Sequence, residues 1–374
     1  MKIKVKKLAV VLAAMAMTLA MSVSAFAANW GNAALVTTDT ALNIAKTLTV
    51  TNPTLSSVAG PGVTYSYAIA SVTPSASNGG TSITDSGSHV GTVHPGPADG
   101  VTLTTASVGW ATNEAVNASS SGAANSKNIT ASVDLSEFSA PGIYRYSITE
   151  TASNLAAAGV VDTGANAVRY LDVYIERDAQ DALTVKGYVL HDGATADGAP
   201  SNKIGFSTAS FETVNVTLSN SVQGAMGDRQ NQFGFAGTVS DNNRYFYANK
   251  AAAPTATDAM KNTTGSITTT LAHGETYYIA GLSTVATVAY TETNNTQDTY
   301  SVTYTGGEAS DVAPSQTKAM AATSVGSAAA ITFTNTLESV SPTGVVLRYG
   351  AALLVLAAAI AMFVLNRKAK ASTK

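Results

Sequence analysis

The sequence predicts an all-β chain of two tandem sandwich domains, and three observations lead to this fold class. Short segments alternate apolar and polar residues, as strands with one buried face do. The body of the chain is rich in Thr, Ser, Val, Tyr and Gly, which suit half-buried strands and turns better than helices. The strand pattern of the first half recurs in the second half. Many short strands with turn signals are typical of immunoglobulin-like sandwiches.

Residues 1–27 form a predicted secretory signal peptide. Four lysines lie in the first seven residues, an apolar stretch runs from Leu8 to Met21, and Ala25-Phe26-Ala27 is a small-residue cleavage site. Cleavage is expected between Ala27 and Ala28. This segment is excluded from the fold because it is removed on export.

Residues 28–209 make up the predicted first domain. A strand pattern begins at Leu42, and residues 63–69 alternate cleanly. Residues 71–100, rich in Gly, Ser, Pro and Thr, are expected to form a long loop or a set of short edge strands. Residues 111–128 are polar and low in complexity and are expected to form a second loop.

The sharpest strand pattern in this domain covers residues 143–150. Tyr144, Tyr146 and Ile148 share one face with Glu150. A carboxylate on an apolar face is unfavourable unless it is neutralised or paired, so Glu150 is a candidate functional residue. Further strands are expected at 170–176 and 183–190, with a short closing strand at 204–206.

Residues 210–338 make up the predicted second domain, which repeats the plan of the first. Strands are expected at 214–218, 232–235, 277–279, 288–292 and 331–335. The segment ending in Glu292 aligns with the one ending in Glu150. The closing segments align Asn335 with Thr208, and the opening segments align Asn220 with Lys46.

Residues 339–374 have three parts in a fixed order. Val340-Ser341-Pro342-Thr343-Gly344 is followed by an apolar run from about residue 350 to 365 and then by a basic tail containing Arg367, Lys368 and Lys370. Pro342 disfavours helix at the preceding residue, so the motif is expected to be extended. The run is only marginally long enough to span a bilayer, and the basic tail favours the cytoplasmic side. An ordinary membrane anchor is the alternative to a transient membrane contact.

This C-terminal arrangement resembles a Gram-positive cell-wall sorting signal. The whole mature chain resembles the sortase-assembled backbone pilins of Gram-positive bacteria, of the streptococcal T-antigen type, with pilin isopeptide-linkage domains. The resemblance implies a non-enzymatic pilus shaft subunit on the outer surface of a Gram-positive bacterium. Sortase would cut between Thr343 and Gly344 and join Thr343 to a neighbouring pilin subunit or to peptidoglycan.

The resemblance also implies an intramolecular isopeptide bond in each domain, between a first-strand Lys and a last-strand Asn beside a middle-strand Glu. A buried lysine can lose its proton and act as a nucleophile, and a protonated Glu can donate to the amide oxygen. The first domain has Lys46 and Glu150 but Thr208 at the Asn position. The second has Glu292 and Asn335 but Asn220 at the Lys position. Lys46 with another Asn or Asp, and Asn335 with another Lys, are the open alternatives.

Polymerisation further implies a surface lysine that accepts Thr343. Lys203 lies near the matching place, just before the closing segment, and Lys186 is the second candidate. The alternative function is a wall-anchored adhesin that binds a host or matrix ligand through the loops at 71–100 and 111–128.

Composition argues against several other classes. The net charge of −3 and the 12% of charged residues predict no nucleic-acid partner. No cysteine is present, so disulfides do not stabilise the chain. The four histidines lie in Gly- or Pro-rich turns without metal-ligand spacing, and no phosphate loop, nucleophile elbow or zinc helix occurs. No metal and no cofactor are expected.

Overall fold

The structure is a computed structural model that describes residues 41–84, 90–193, 195–196, 199–200, 204–250, 252–293, 300–305, 318–325, 330–339 and 355–363. The predicted all-β class is confirmed, because strands make up most of the regular structure among these residues. The strands of the first half are β1 (Ala41–Thr51), β2 (Ser57–Ala59), β3 (Val63–Ser71), β4 (Ser82–Thr84), β5 (Val90–Pro95), β6 (Val101–Thr105), β7 (Ser107–Trp110), β8 (Ala115–Asn117), β9 (Ala123–Val133), β10 (Gly142–Ser153), β11 (Val160–Val161), β12 (Val168–Arg177), β13 (Leu183–His191), β14 (Thr195–Ala196) and β15 (Ala199–Pro200).

The strands of the second half are β16 (Thr208–Gln223), β17 (Phe233–Ser240), β18 (Phe246–Lys250), β19 (Lys261–Asn262), β20 (Ser266–Leu271), β21 (Thr276–Ser283), β22 (Thr287–Thr293), β23 (Ser301–Thr305), β24 (Lys318–Ser324) and β25 (Ala330–Thr336). Helical segments in the described ranges are short: the 3-10 turns Ala76–Asn78, Leu135–Glu137 and Asp258–Met260, the α-helical turn Leu155–Ala158, and residues 355–363. None of the helices described is long and apolar enough to cross a bilayer.

The first domain packs two sheets around one core. One sheet has the order β16-β1-β9-β6, and the other has the order β13-β12-β10-β3-β7. β1 alternates as predicted, so every second side chain from Leu42 to Val50 points inward. These side chains meet Tyr65, Trp110 and Ile148 from the second sheet in a single apolar cluster.

A single strand, β16, belongs to both domains. Its first residues, Thr208 to Glu212, pair in parallel with β1. Its remainder pairs antiparallel with β21 and parallel with β25. The predicted domain boundary between residues 209 and 210 therefore falls inside a continuous strand. In the second domain, β19-β18-β21-β16-β25-β23 faces β20-β17-β22-β24 across a second apolar cluster that includes Leu218, Phe235 and Phe333.

Three sequence expectations are resolved by this architecture. Residues 204–206 were expected to form a strand, which is wrong: Phe206 is buried against the Tyr67 ring, 4.9 Å between centroids, but the segment joins no ladder. The strand that pairs with β1 is β16 instead. Region 71–100 follows the edge-strand alternative, with β4 and β5 in it. Region 111–128 is not a loop throughout, because β8 and the start of β9 lie there.

The two domains meet at a buried joint centred on Arg244. Its Nε donates to the carbonyl of Gly60 at 2.9 Å and its Nη2 to the carbonyl of Ala59 at 2.7 Å, both in the first domain. Its Nη1 donates to Asp241 Oδ2 at 2.6 Å, and its guanidinium lies 4.7 Å from the centre of the Phe211 ring. The joint thus combines an ion pair, two carbonyl contacts and an aromatic contact.

Candidate functional site

Lys46 is the most unusual side chain of the first core. It occupies an inward position of β1, between Ile44 and Leu48, and is completely buried. The alternation of β1 places it there, since a residue two positions from each of two core residues shares their face. A buried lysine requires partners, and the core supplies them.

Three polar groups surround the Lys46 amine. Nζ lies 2.8 Å from Asp162 Oδ2, 3.1 Å from Glu150 Oε2 and 3.4 Å from Ser207 Oγ. Below it, the Tyr65 ring has its centroid 4.1 Å away. The side chains of Lys46, Glu150 and Asp162 are all fully buried, so one ammonium and two carboxyl groups share a dry site.

Each carboxyl group is held by a further hydrogen bond. Glu150 lies on β10, where Oε2 accepts from the Tyr67 hydroxyl at 2.8 Å. Asp162 directly follows β11, and its Oδ1 accepts from the Ser207 hydroxyl at 2.5 Å and from the Gly164 N–H at 3.1 Å. Ser207 directly precedes β16. The site therefore joins β1, β10, the residue that follows β11 and the residue that precedes β16.

Burial and charge set the protonation of this site. Burial alone would raise the pKa of Asp162, but hydrogen bonds from Lys46 and Ser207 outweigh it and hold the pKa below its ordinary value. Burial, followed by the charge of Asp162, raises the pKa of Tyr65 well above its usual range. Burial and the charge of Glu150 do the same for Tyr67. Both phenols therefore stay protonated, which suits Tyr67 as the donor to Glu150.

The sequence analysis predicted Lys46 and Glu150 as site residues and did not predict Asp162 or Ser207. Lys46 and Glu150 lie together as predicted, but Thr208, the expected Asn position, is exposed and Ser207 lies beside the lysine instead. Asp162 was missed because it lies outside the alternating strands on which the prediction relied. The one signal near it is the turn-forming Asp-Thr-Gly after two valines, which is too common to identify a site.

In the equivalent cluster of the second domain, the residue on the first strand is uncharged. Asn335 Nδ2 donates to Glu292 Oε1 at 2.5 Å and to Asn220 Oδ1 at 3.0 Å, and Asn220 Nδ2 donates to the Leu271 carbonyl at 2.9 Å. Asn220 thus takes the place that Lys46 has in the first domain. Burial raises the pKa of Glu292 to about 7, against the opposing hydrogen bond from Asn335.

Three lysines are relevant to two predictions, the linking lysine on the surface and another lysine as the partner of Asn335. Lys186 lies on β13, is 43% exposed and contacts Glu176 at 3.3 Å, so its amine is accessible. Lys318 is buried on β24, directly opposite Glu292, with Nζ 5.1 Å from the centre of the Tyr304 ring. Lys203 lies outside the described residues.

The two processing sites also lie outside the described residues. This applies to Val340, Ser341, Pro342, Thr343 and Gly344 and to the signal cleavage site at Ala27 and Ala28. In the part of the chain that is described, no three His, Asp or Glu side chains converge to hold a metal ion.

Comparisons with known proteins give one family model and several solved structures. A model described as a domain of unknown function, DUF7601, matches residues 214–337. None of the curated proteins matches this chain.

The similar structures include pilus proteins. The major pilin from Streptococcus pyogenes is 18% identical, and the match covers 79% of this chain and 99% of the pilin with a TM-score of 0.45. The T3.2 major pilin from the same species is 18% identical over 79% of this chain and 98% of its own, with a TM-score of 0.43. A pilus-presented adhesin is 20% identical over 48% of this chain and 39% of its own, with a TM-score of 0.25.

Proposed function

We propose that this chain is a structural surface protein, a pilus shaft subunit that sortase polymerises and anchors through Thr343. The observation that carries the proposal is the buried Lys46 site, in which a first-strand amine meets a carboxyl group close to the strand that leads into the second domain. The signal peptide and the sorting motif in the sequence support export and covalent attachment. The chain is then not an enzyme, and its partners are sortase and its own neighbouring copies.

The first domain is proposed to carry an isopeptide bond between Lys46 and Asp162. In the step, a proton moves from the Lys46 ammonium to the Asp162 carboxylate, with Glu150 as the relay between them. The neutral Nζ then attacks Asp162 Cγ, the N–C bond forms, the C–O bond breaks and one water leaves. The 2.8 Å contact brings the reacting groups together.

Intact mass tests this bond. The mature protein is expected to be one water lighter than its sequence, and Asp162→Asn is expected to lose one ammonia and reach the same final mass as the wild type. Glu150→Ala and Lys46→Arg should keep their full sequence masses. Lys127→Arg is the matched control, because Lys127 lies opposite Lys46 on β9 but is partly exposed. A wild type at full sequence mass would rule out the cross-link.

Polymerisation has a separate test on bacterial wall extracts. The wild type is expected to give a detergent-resistant ladder of covalent multimers, and Thr343→Ala is expected to abolish it. Lys203→Ala should remove the ladder if Lys203 is the acceptor, with Lys186→Ala as the second candidate. A single wall-linked species in the wild type would contradict the shaft role and favour the adhesin alternative.

A further inference from the structure

Strand β13 is an edge of the β13-β12-β10-β3-β7 sheet. Among the strands described, only β12 pairs with it. On the side away from β12, the carbonyl of Leu190 accepts the N–H of Ile204 at 3.1 Å. Since backbone groups alternate between the two sides of an antiparallel strand, the N–H and carbonyl of Tyr188 face this same side. From residue 183 to 189, the edge therefore presents backbone donors and acceptors with which an added strand can pair.

The other edges of the first domain are shorter or obstructed. β7, at the opposite end of the same sheet, has four residues, and Lys127 Nζ donates to the carbonyl of Gly109 within it at 2.6 Å. β6, at the end of the facing sheet, has five residues, with an irregularity in its pairing between Leu103 and Thr105. β13 has nine residues and is the longest of these three edges.

A β-bulge in β13 presents Lys186. The ladder passes from Val185 to Gly187 while β12 advances by one residue, so Lys186 is an extra residue without a ladder partner. Bulges re-aim side chains in this way. The Lys186 side chain is half-exposed, and its Nζ lies 3.3 Å from Oε2 of Glu176, which is equally exposed. Because a surface ion pair of this kind is weak, the amine is readily released for reaction.

Lys186 lies at the end of the first domain that is farthest from the joint. Its neighbours on β13 are level with Gly142, where β10 begins. β10 ends at Ser153, which pairs with the first residues of β3, just after the Gly60 carbonyl that Arg244 contacts at the joint. At about 3.3 Å per residue, the length of β10 puts about 35 Å between Lys186 and the joint.

The C-terminal segment leaves the second domain at the opposite end of the molecule. β25 runs parallel to β16 and ends with Thr336 opposite Gln223, the last residue of β16. Glu212 is the last residue of β16 that pairs with β1, so about 35 Å of strand separates Gln223 from the joint. Glu338, just before the sorting motif, is exposed. Lys186 and the exit of the sorting motif are therefore placed for head-to-tail joining of copies.

We propose that the β13 edge docks the C-terminal segment of a second copy of this chain and that Lys186 accepts its Thr343. This inference rests on the proposed sortase-linked shaft. Residues 339–343 are expected to be extended because of Pro342, and an extended segment can add to a free edge as a short strand.

The linking step exchanges one amide bond for another. The bond between Lys186 Nζ and the Thr343 carbonyl carbon forms, and the peptide bond between Thr343 and Gly344 breaks. Two protons leave the Lys186 ammonium, and the released Gly344 amine carries both away as an ammonium. Docking on β13 holds the reacting carbonyl beside the amine, so the edge sets which lysine is joined.

Wall extracts of bacteria that express the full chain test the acceptor. Lys186→Arg keeps a cation beside Glu176 but has no nucleophilic amine, so it is expected to remove the multimer ladder and leave monomer attached to the wall. Lys127→Arg is the matched control and should keep the ladder. Peptide mapping of wild-type multimers should yield a branched peptide that joins Thr343 to Lys186.

The outcomes separate this inference from the proposed function. A ladder that survives in Lys186→Arg, or a branch at Lys203, would overturn the assignment of Lys186 and leave the shaft role intact. A wild type without a ladder, or a ladder that survives in Thr343→Ala, would overturn both.

Amide hydrogen exchange tests the docking itself. Wild-type multimers and Thr343→Ala monomers are compared over residues 183–189. Strand addition is expected to slow exchange at the Tyr188 amide about tenfold or more in the multimers, whereas β7, the other edge of the sheet, should exchange alike in both. A branch at Lys186 with unchanged exchange in β13 would mean that the amine is joined without strand addition, and would overturn the docking.

Discussion

At the scale of single residues, the two clusters differ in the first-strand residue and in the acceptor, which is Asp162 in the first domain and Asn335 in the second. Asn220 stands where the first domain has Lys46, and it contacts Asn335, which in turn contacts Glu292. The acceptor amide and the acid are therefore in place, and the first strand carries no amine, while Lys318 is buried on β24 opposite Glu292. An amine at position 220 would lie beside a carboxamide and a carboxyl group whose raised pKa keeps much of it protonated at neutral pH.

Asn220→Lys is therefore predicted to create a cross-link in the second domain. The new amine should attack Asn335 and release one ammonia, so the variant becomes lighter than its sequence by that amount in addition to any loss in the first domain. Intact mass and peptide mapping measure this. Asn220→Lys combined with Asn335→Ala is the control and should show no extra loss. An unaltered mass in the single variant would mean that this site does not support amide formation.

Glu292 gives the second prediction at this scale. Its pKa in the folded protein is raised from 4.5 to about 7, so the folded state binds more protons than the unfolded state between these values. The free energy of unfolding should then fall as pH rises through this window, by about 3 kcal/mol in all. Glu292→Gln should remove that fall, as measured by urea unfolding at about pH 5 and pH 8. Glu137→Gln, at an exposed position, is the control and should keep the wild-type slope.

The candidate residues also show what the sequence could and could not predict. Glu150 was found because it interrupts an alternating apolar face, and a strand fixes which residues share a face. Glu292 followed from the alignment of the two halves, and Lys46 and Asn335 from the resemblance applied to the aligned opening and closing segments. Asp162 is positioned by tertiary structure alone: β11 pairs with β16, and that pairing brings the following residue to Lys46. No local pattern records such a contact between distant segments.

At the scale of elements, β16 and Arg244 connect the two domains. The alternating residues at 214–218 predicted a strand, but no pattern showed that it is continuous with the residues that pair with β1, because its two halves face different partners. Arg244 adds the side-chain contact across the joint, and it was not singled out in the sequence. The joint could therefore not be predicted from the sequence, because its contacts form between segments that are distant in the chain.

Arg244→Ala is predicted to uncouple the domains. It leaves Asp241 and the carbonyls of Ala59 and Gly60 without their donor, and removing one partner of a buried ion pair destabilises by about 3–5 kcal/mol. Calorimetry should show one unfolding transition in the wild type and two in the variant. Arg229→Ala, an exposed arginine, is the control and should leave one transition. Two transitions already present in the wild type would show that the joint does not couple the domains.

At the scale of the whole molecule, the proposed cross-link decides how far the chain can be stretched. Lys46 and Asp162 are 116 positions apart, and an amide bond between them would close that loop against extension. Since an extended residue spans about 3.3–3.6 Å, unfolding the first domain from its ends should release about 400 Å less length in the cross-linked protein than in Lys46→Arg. Single-molecule pulling from residues 41 and 338 measures the difference. The second domain, without a lysine at position 220, should unfold to the same length in both proteins and calibrates each trace; equal first-domain lengths in the two proteins would contradict a covalent tie at Lys46.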